Sequence, residues 1–302
     1  MPGAGLDANP LPADSETLEL SLLLVTYNSR DVLDGLIRSL HDTPPRCRYE
    51  LIVADNASAD DSALYLEQHV AGVRVMRQET NRGFAAGVNA AAEFARGEFL
   101  ALINPDIAWE SDPFTPLIQH LRTKRQIGAI TPQLIFPDGR PQLSLRRFPT
   151  HQNIWWSRGT PWSGMLAESK RARTYTLDYP SDPAPIEATA AACLLVRRDA
   201  FEQIGRMDEG YFLYVEDTDL CRRLHDGGWE IWCDPTVKVR HAWSAASHRD
   251  AWHARQHRKG LRRYFHKFHP RARVKNAMLF CALACADFLS LFRSSPTDRT
   301  TA

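Results

Sequence analysis

Apolar residues in this chain fall into short unbroken runs that end at polar or turn-forming residues. Leu18–Val25 (LELSLLLV), Tyr49–Ala54, Val73–Met76 and Phe99–Ile103 are the first four such runs. Runs of this length, closed by breakers, predict strands buried on both faces, as in a parallel sheet under helices. Between them the spacing changes to a helical one. Val32, Leu33, Leu36, Ile37 and Leu40 predict a helix over Asp31–Leu40, and a second follows over Asp61–His69. The stretch Asn81-Arg82-Gly83-Phe84-Ala85-Ala86-Gly87 opens an alanine-rich third helix that reaches Phe94. Asn28 or Ser29 is placed to cap the first helix, and Ser58 the second. Strand, loop and helix thus repeat three times in about a hundred residues, which predicts a doubly wound, mostly parallel α/β sheet with right-handed crossovers.

The strand ends carry the candidate chemistry. They present Thr26, Tyr27 and Asn28, then Asp55 and Asn56, then Asn81 and Arg82, then Asn104-Pro105-Asp106. Proline stops the fourth strand, so Asn104 and Asp106 fall on the loop at its carboxyl end, where open α/β sheets bind ligands. Taken one at a time, each of these is an ordinary polar turn. Together they have the inventory of a nucleoside diphosphate pocket: Asp55 to accept from a pyrimidine N3–H, Arg82 to face phosphate, Asp106 to hold a divalent ion. No G-x-G-x-x-G and no P-loop pattern follows the first strand.

The second half is less regular. Strands are expected over Ile127–Ile135, Glu187–Arg197, Trp229–Cys233 and Thr236–Val239, with a short helix over Arg198–Ile204. His151–Tyr179 has no clear period, and its Trp155, Trp156 and Trp162 suit either a sugar-stacking acceptor site or a satellite core. Tyr211–Leu224 (YFLYVEDTDLCRRL) leads into a helix whose first turn holds Glu216, Asp217 and Asp219. The helix dipole and an i,i+4 pair with Arg223 account for Asp219. Glu216 and Asp217 need something positive nearby. His241 follows the last strand, in the half that must close over the nucleotide pocket.

With 302 residues, 44% of them hydrophobic, the chain can bury a large core. Its net charge of +1 gives no reason to expect nucleic acid as a partner. The balance hides a basic end, from Arg249 to Lys275, answered within that stretch only by Asp250. Six scattered cysteines without a C-x-x-C pair fit a reducing compartment. Residues 1–17 have neither a basic start nor an apolar core and read as a disordered lead-in, so a cytoplasmic location is expected.

Six ordered segments carry a resemblance: Val25-Thr26-Tyr27-Asn28; Asp55-Asn56-x-Ser58-x-Asp60; Asn81-x-Gly83-Phe84-Ala85-x-Gly87-x-Asn89; Asn104-Pro105-Asp106; Phe212-x-Tyr214-x-Glu216-Asp217-x-Asp219-Leu220; and His241-x-x-Ser244. The chain resembles the inverting glycosyltransferases of family 2, and among them bacterial rhamnosyltransferase-like enzymes of surface polysaccharide synthesis. The resemblance spans about Leu18 to Ser247 and implies a GT-A fold, a dTDP- or UDP-sugar donor, a divalent cation (Mg2+ or Mn2+) and a saccharide or lipid-linked acceptor. It implies donor contacts from Thr26, Tyr27, Asn28, Asp55, Asn56, Asn81, Arg82, Gly83, Asn89, Asn104 and Asp106. By the same resemblance Asp106 and His241 would hold the metal, Asp217 would be the general base, and Glu216 would lie on the acceptor side. Two positions depart from the family pattern: Asn104 stands where a metal carboxylate is usual, and Ala188–Cys193 (ATAAAC) lacks a glycine often found there. A non-catalytic nucleotide-sugar sensor of the same fold is the alternative from another class.

The expected organisation is a lead-in (1–17), a GT-A domain (18–247, with a nucleotide-sugar half to 110 and an acceptor half from 111) and a helical tail (248–302). Ala251–Phe268 mixes aromatic with basic residues, and Ala277–Phe292 is apolar almost all round but too short to span a bilayer. The tail therefore reads either as helices packed on the domain or as an anchor to an anionic membrane surface, which would make the protein peripheral on the inner face.

Overall fold

The computed structural model describes residues 18–155, 160, 174–242 and 251–291. Trp156 and Trp162 lie outside the described residues. The alternation expected of the first half is present: β1 (Leu20–Thr26), α1 (Leu33–Asp42), β2 (Tyr49–Asp55), α2 (Ser62–His69), β3 (Arg74–Arg77), α3 (Phe84–Phe94) and β4 (Phe99–Ile103). Every residue of β1 and of β4 is buried. Their side chains alternate between two cores, as the two-residue period of a strand requires. Leu20, Leu22 and Leu24 join Leu33, Leu36, Phe114 and Leu117 under one helical layer, whereas Leu23 and Val25 join Ala85, Val88 and Ala91 of α3 under the other.

The chain continues through β5 (Ile107–Ala108), α4 (Phe114–Thr123), β6 (Ile127–Ile135), β7 (Leu145–Arg146), α5 (His151–Trp155), β8 (Ala184–Ile186), β9 (Ala188–Thr189), β10 (Cys193–Arg197), α6 (Arg198–Gln203), α7 (Glu216–Asp226) and β11 (Glu230–His241). One nine-stranded sheet has the order β3-β2-β1-β4-β10-β6-β11-β5, with β8 also on β11. Strands β1, β2, β3, β4, β6 and β11 run one way, while β5, β8 and β10 run against them. The first half is therefore parallel, and the sheet crosses the 110/111 boundary without a break. Strand order reverses at β1, between β2 and β4, which opens a crevice at the shared carboxyl edge.

Three local expectations change. Neither Asn28, Ser29 nor Ser58 caps a helix. Asn28 Oδ1 accepts from Ala59 N, the Ser29 hydroxyl bonds the Tyr27 backbone, and the Ser58 hydroxyl donates to Asp55. These side chains stitch the loops after β1 and β2 together instead. The two strands expected over 229–239 are one strand, β11, with a bulge between Asp234 and Lys238 that the sequence shows as Pro235. The run expected over 187–197 is broken at Ala190–Ala192, where the chain turns from β9 into β10.

The tail forms α8 (Ala251–Phe268) and α9 (Arg273–Leu291). Leu261, Tyr264, Phe265, Leu279 and Leu283 bury themselves with Ile154, Tyr211 and Val215 in a third core. Four of its basic residues are answered from well outside the stretch that holds Asp250. Arg258 and Arg262 both reach Asp287 at 2.6 Å, and Arg263 and Lys267 reach Asp208 at 2.6 and 2.8 Å. Trp155 packs against this core, which favours its satellite-core role over sugar stacking.

Candidate active site

At the carboxyl edge, Thr26 and Asp55 end neighbouring strands in register, and the Thr26 hydroxyl donates to Asp55 Oδ1 at 3.0 Å. The Ser58 hydroxyl and backbone N–H also bond Asp55, at 2.5 and 3.1 Å. A carboxylate accepts about four hydrogen bonds, so three fixed donors leave room for one more from a ligand. Beside it Asn56, buried, donates to Gly83 O at 3.1 Å, while its Oδ1 is buried without a partner among the described residues. A buried acceptor left unpaired costs about 1–3 kcal/mol, which a bound donor group recovers. Tyr27 is half exposed.

The other donor-side residues divide. Asn81 Oδ1 accepts from Gly83 N at 2.9 Å and shapes the turn into α3. Gly83 has φ +89°, and a Cβ there would lie 2.2 Å from Phe212 O. Arg82 pairs at 2.6 Å with Glu209, both largely exposed, so it remains available to an anion. Asn89 is engaged on the second-half side. Its amide exchanges two 3.0 Å hydrogen bonds with the Met207 backbone and also donates to Glu209. It clips α3 to the loop that carries the catalytic candidates.

Asn104 and Asp106 follow β4, and His241 ends β11, where it pairs with Ile107 of β5. His241 Nε2 lies 3.3 Å from Asp106 Oδ1 and 3.4 Å from Asn104 Nδ2. The other side of the ring is fixed by Gln142, which the sequence reading missed. Gln142, fully buried, donates through Nε2 to His241 O at 2.6 Å. Its Oε1 therefore accepts from the ring Nδ1–H at 2.9 Å. In the neutral ring the Nε2 lone pair then faces Asp106, the arrangement that metal-ligating histidines show when their second nitrogen is held by a carbonyl. Among the described residues no three histidine, cysteine or acidic side chains cluster as a closed metal site. Two protein ligands completed by phosphate oxygens and water suit Mg2+ or Mn2+, and these residues fit such an ion.

Four residues after Gln142, Arg146 reaches Asp217 Oδ2 at 2.9 Å. Thr218 donates to the other oxygen of Asp217 through its backbone N–H at 2.7 Å and its hydroxyl at 3.2 Å. Burial disfavours the Arg146 charge, but Asp217 outweighs it and holds the guanidinium protonated. Glu216, next door, is buried with Oε2 unpartnered among the described residues, and its carboxyl is pushed up to about 8, first by burial and then by the Asp217 charge. Burial thus holds the Glu216 carboxyl protonated at neutral pH, the kind of environmental tuning that acid–base sites use. Asp219 is structural, as its helical position suggested: it accepts from Arg223 at 2.6 Å, Lys267 at 2.7 Å and Tyr211 at 3.2 Å. The backbone just before α7 is strained, with φ +69° at Tyr214 and +73° at Val215, a conformation costly for a β-branched residue and concentrated at functional sites.

The profile of glycosyl transferase family 2 matches residues 21–205, more than half of the chain. The chain belongs to this family. Two curated relatives resemble this glycosyltransferase over most of their own length. The N-acetylglucosaminyl-diphospho-decaprenol L-rhamnosyltransferase of Mycobacterium tuberculosis is 29% identical over 80% of this chain and 81% of its own. The rhamnosyltransferase WbbL of Escherichia coli is 27% identical over 73% of this chain and 82% of its own. Among solved structures, the mannosyltransferase PcManGT of Pyrobaculum calidifontis, in complex with GDP-Man and Mn2+, superposes with a TM-score of 0.55 at 16% identity. That match covers 94% of this chain and 78% of that one and extends the GT-A fold to this glycosyltransferase.

Proposed function

We propose that this glycosyltransferase moves rhamnose from a dTDP- or UDP-linked donor to a lipid-linked saccharide, with inversion at the anomeric carbon. The names of its curated relatives support the sugar and the lipid-linked acceptor. Asp55, Asn56 and Tyr27 receive the nucleoside, and Asp106 and His241 hold a divalent cation against the diphosphate. That cation, when bound, offsets the charge that builds on the leaving group. Asp217 takes the proton of the acceptor hydroxyl as its oxygen bonds the anomeric carbon and the bond to the diphosphate breaks on the opposite face. Arg146 orients the Asp217 carboxylate, and neutral Glu216 can donate a hydrogen bond to the acceptor.

One observation carries this reading. The segment Gln142–Arg146 holds His241 at one end and Asp217 at the other. Four residues of chain span at most about 14 Å, and this shared short support favours reading His241 with Asp106 and Asp217 as parts of one site. A sensor that binds without turnover would gain nothing from this coupling. An acceptor carried by a lipid also puts the enzyme at the cytosolic face of a membrane.

The test is Asp217→Asn. Turnover should fall on the order of 10²–10⁴-fold, while calorimetric donor affinity in the presence of manganese stays within about twofold. The retained affinity reports an intact fold, and unchanged turnover would remove Asp217 from the role.

A further inference from the structure

Helix α9 is apolar nearly all round, and the fold buries one side of it. Asn276, Leu279, Ala282 and Leu283 face inward. The other side carries Val274, Met278, Cys281, Cys285 and Phe288, at steps of four, three, four and three residues, all exposed. Val274, Met278 and Phe288 are 74%, 56% and 61% exposed. Single apolar side chains on a surface are ordinary, but a stripe along a whole helix marks a contact site.

The charge around this stripe points to its partner. The only carboxylate of α9, Asp287, is half-buried and engaged with Arg258 and Arg262. Arg271, Arg273 and Lys275 lead into and open the helix, and all three are exposed. An apolar face with a basic end and no exposed acid matches a helix lying in the plane of an anionic bilayer. It suits a second copy of this chain poorly, since the stripe offers no acid to meet the partner's basic end. No helix among the described residues is long and apolar enough to cross a membrane.

The hairpin is also fastened to the catalytic loop. Trp252 of α8 packs edge-on to Phe212 at 5.8 Å, and His253 and His257 lie beside Tyr214. At Gly260 a Cβ would approach Tyr214 O to 2.8 Å, so α8 presses directly on the strained turn before Glu216 and Asp217. What seats α9 therefore also orients the acceptor end of the cleft.

We propose that the outer face of α9 seats the enzyme on an anionic bilayer. The stripe enters the headgroup boundary, Arg271, Arg273 and Lys275 meet lipid phosphates, and the Glu216–Asp217 end of the cleft is presented to acceptors carried by that lipid. The purpose of this docking rests on the lipid-linked acceptor proposed above. The docking itself does not, and it is measured without acceptor.

The full chain is floated with vesicles of phosphatidylglycerol and phosphatidylcholine, and with phosphatidylcholine alone, at low and high salt. Wild type should float with the anionic vesicles and be released by salt. Replacing Arg271, Arg273 and Lys275 by Gln should weaken partitioning on the order of a hundredfold, about fivefold for each charge. Met278→Glu should abolish it. Turnover on a water-soluble acceptor should be unchanged in both variants, which shows them folded. Wild type that stays in solution, or a Met278→Glu variant that floats as well as wild type, overturns the proposal. So does a wild-type dimer in sedimentation velocity that Met278→Glu splits while flotation persists, because the stripe then belongs to a second copy. Flotation by an enzyme that ignores lipid-linked acceptors keeps the docking and overturns only the acceptor assignment.

Discussion

Gln142 decides how His241 meets Asp106, because both ends of its amide bond that one residue, with a longer 3.5 Å bond from Nε2 to Ile135 O. Removing such a partner from a metal-bound histidine costs on the order of 10–100-fold in metal affinity. Gln142→Leu should therefore weaken Mn2+ binding by that factor in electron paramagnetic titrations without donor. Gln142→Glu, which keeps an acceptor for Nδ1–H, should retain more of the affinity than Leu does. Equal Mn2+ affinity in wild type and the Leu variant would leave Gln142 a packing residue. Glu216 gives a pH signature. Its folded-state carboxyl is raised from 4.5 to about 8, so between those values the folded protein binds more protons than the unfolded chain. Stability must then fall as pH rises through that window and level off above it. Urea unfolding of wild type and Glu216→Gln at pH 5.5 and 8.5 isolates the effect, since the other titrating groups cancel in the difference. Relative to Glu216→Gln, wild type should lose on the order of a few kcal/mol between the two pH values. A constant difference would mean that Glu216 is ionised in the fold. Asp106, Asp217 and His241 were legible in the sequence because each sits where a strand or helix meets a loop. Gln142 and Arg146 were not, since they lie in an aperiodic stretch and act through partners 99 and 71 residues away.

At the scale of elements, the first half was readable because local period and tertiary burial agree: β1 and β4 are buried along their whole length and α1 keeps one apolar face. In the second half the run over Ile127–Ile135 announces β6, but β5, β7, β8 and β9 are only two or three residues long and β11 is bulged, so no run of residues marks the short strands or the continuity of β11. Capping was misread for a related reason. Asn28, Ser29 and Ser58 have the right chemistry for caps, but bonds to neighbouring loops and to Asp55 claim them first. The turn into α3 shows what such loop contacts demand of the backbone. Gly83 combines a positive φ with a backbone approach that no Cβ fits, and Phe84 N donates to the same Phe212 O at 3.1 Å. Gly83→Ala should therefore shift the 207–216 loop and destabilise the fold by about 1–3 kcal/mol. Urea midpoints report the loss of stability, and turnover should fall more than donor affinity because the displaced loop leads into Asp217, the proposed base. Wild-type stability and turnover would show that the loop yields without consequence.

For the molecule as a whole, the question is whether the C-terminal hairpin is an appendage or part of the catalytic unit. Its sequence left both readings open, because basic and apolar residues in one stretch suit a lipid surface and a packed helix equally well. The structure divides them. Tyr264, Phe265, Leu261, Leu279 and Leu283 fill a core shared with Tyr211 and Val215, while the outer stripe of α9 stays exposed. Ion pairs add to the fastening. Burial works against the Asp208 charge, yet the hydrogen bonds of Arg263 and Lys267 outweigh it and hold its carboxyl well below the usual range. Lys267 also reaches the fully buried Asp219. Glycosyltransferase and hairpin should consequently unfold as one cooperative unit, with equal calorimetric and van't Hoff enthalpies. Leu283→Ala, deep in the shared core, should lower the stability of that single transition by about 2–5 kcal/mol. Two transitions, with only the weaker one shifted by Leu283→Ala, would make the hairpin a separate module, and its contacts with the loop before Asp217 would then contribute little to holding Asp217 in place.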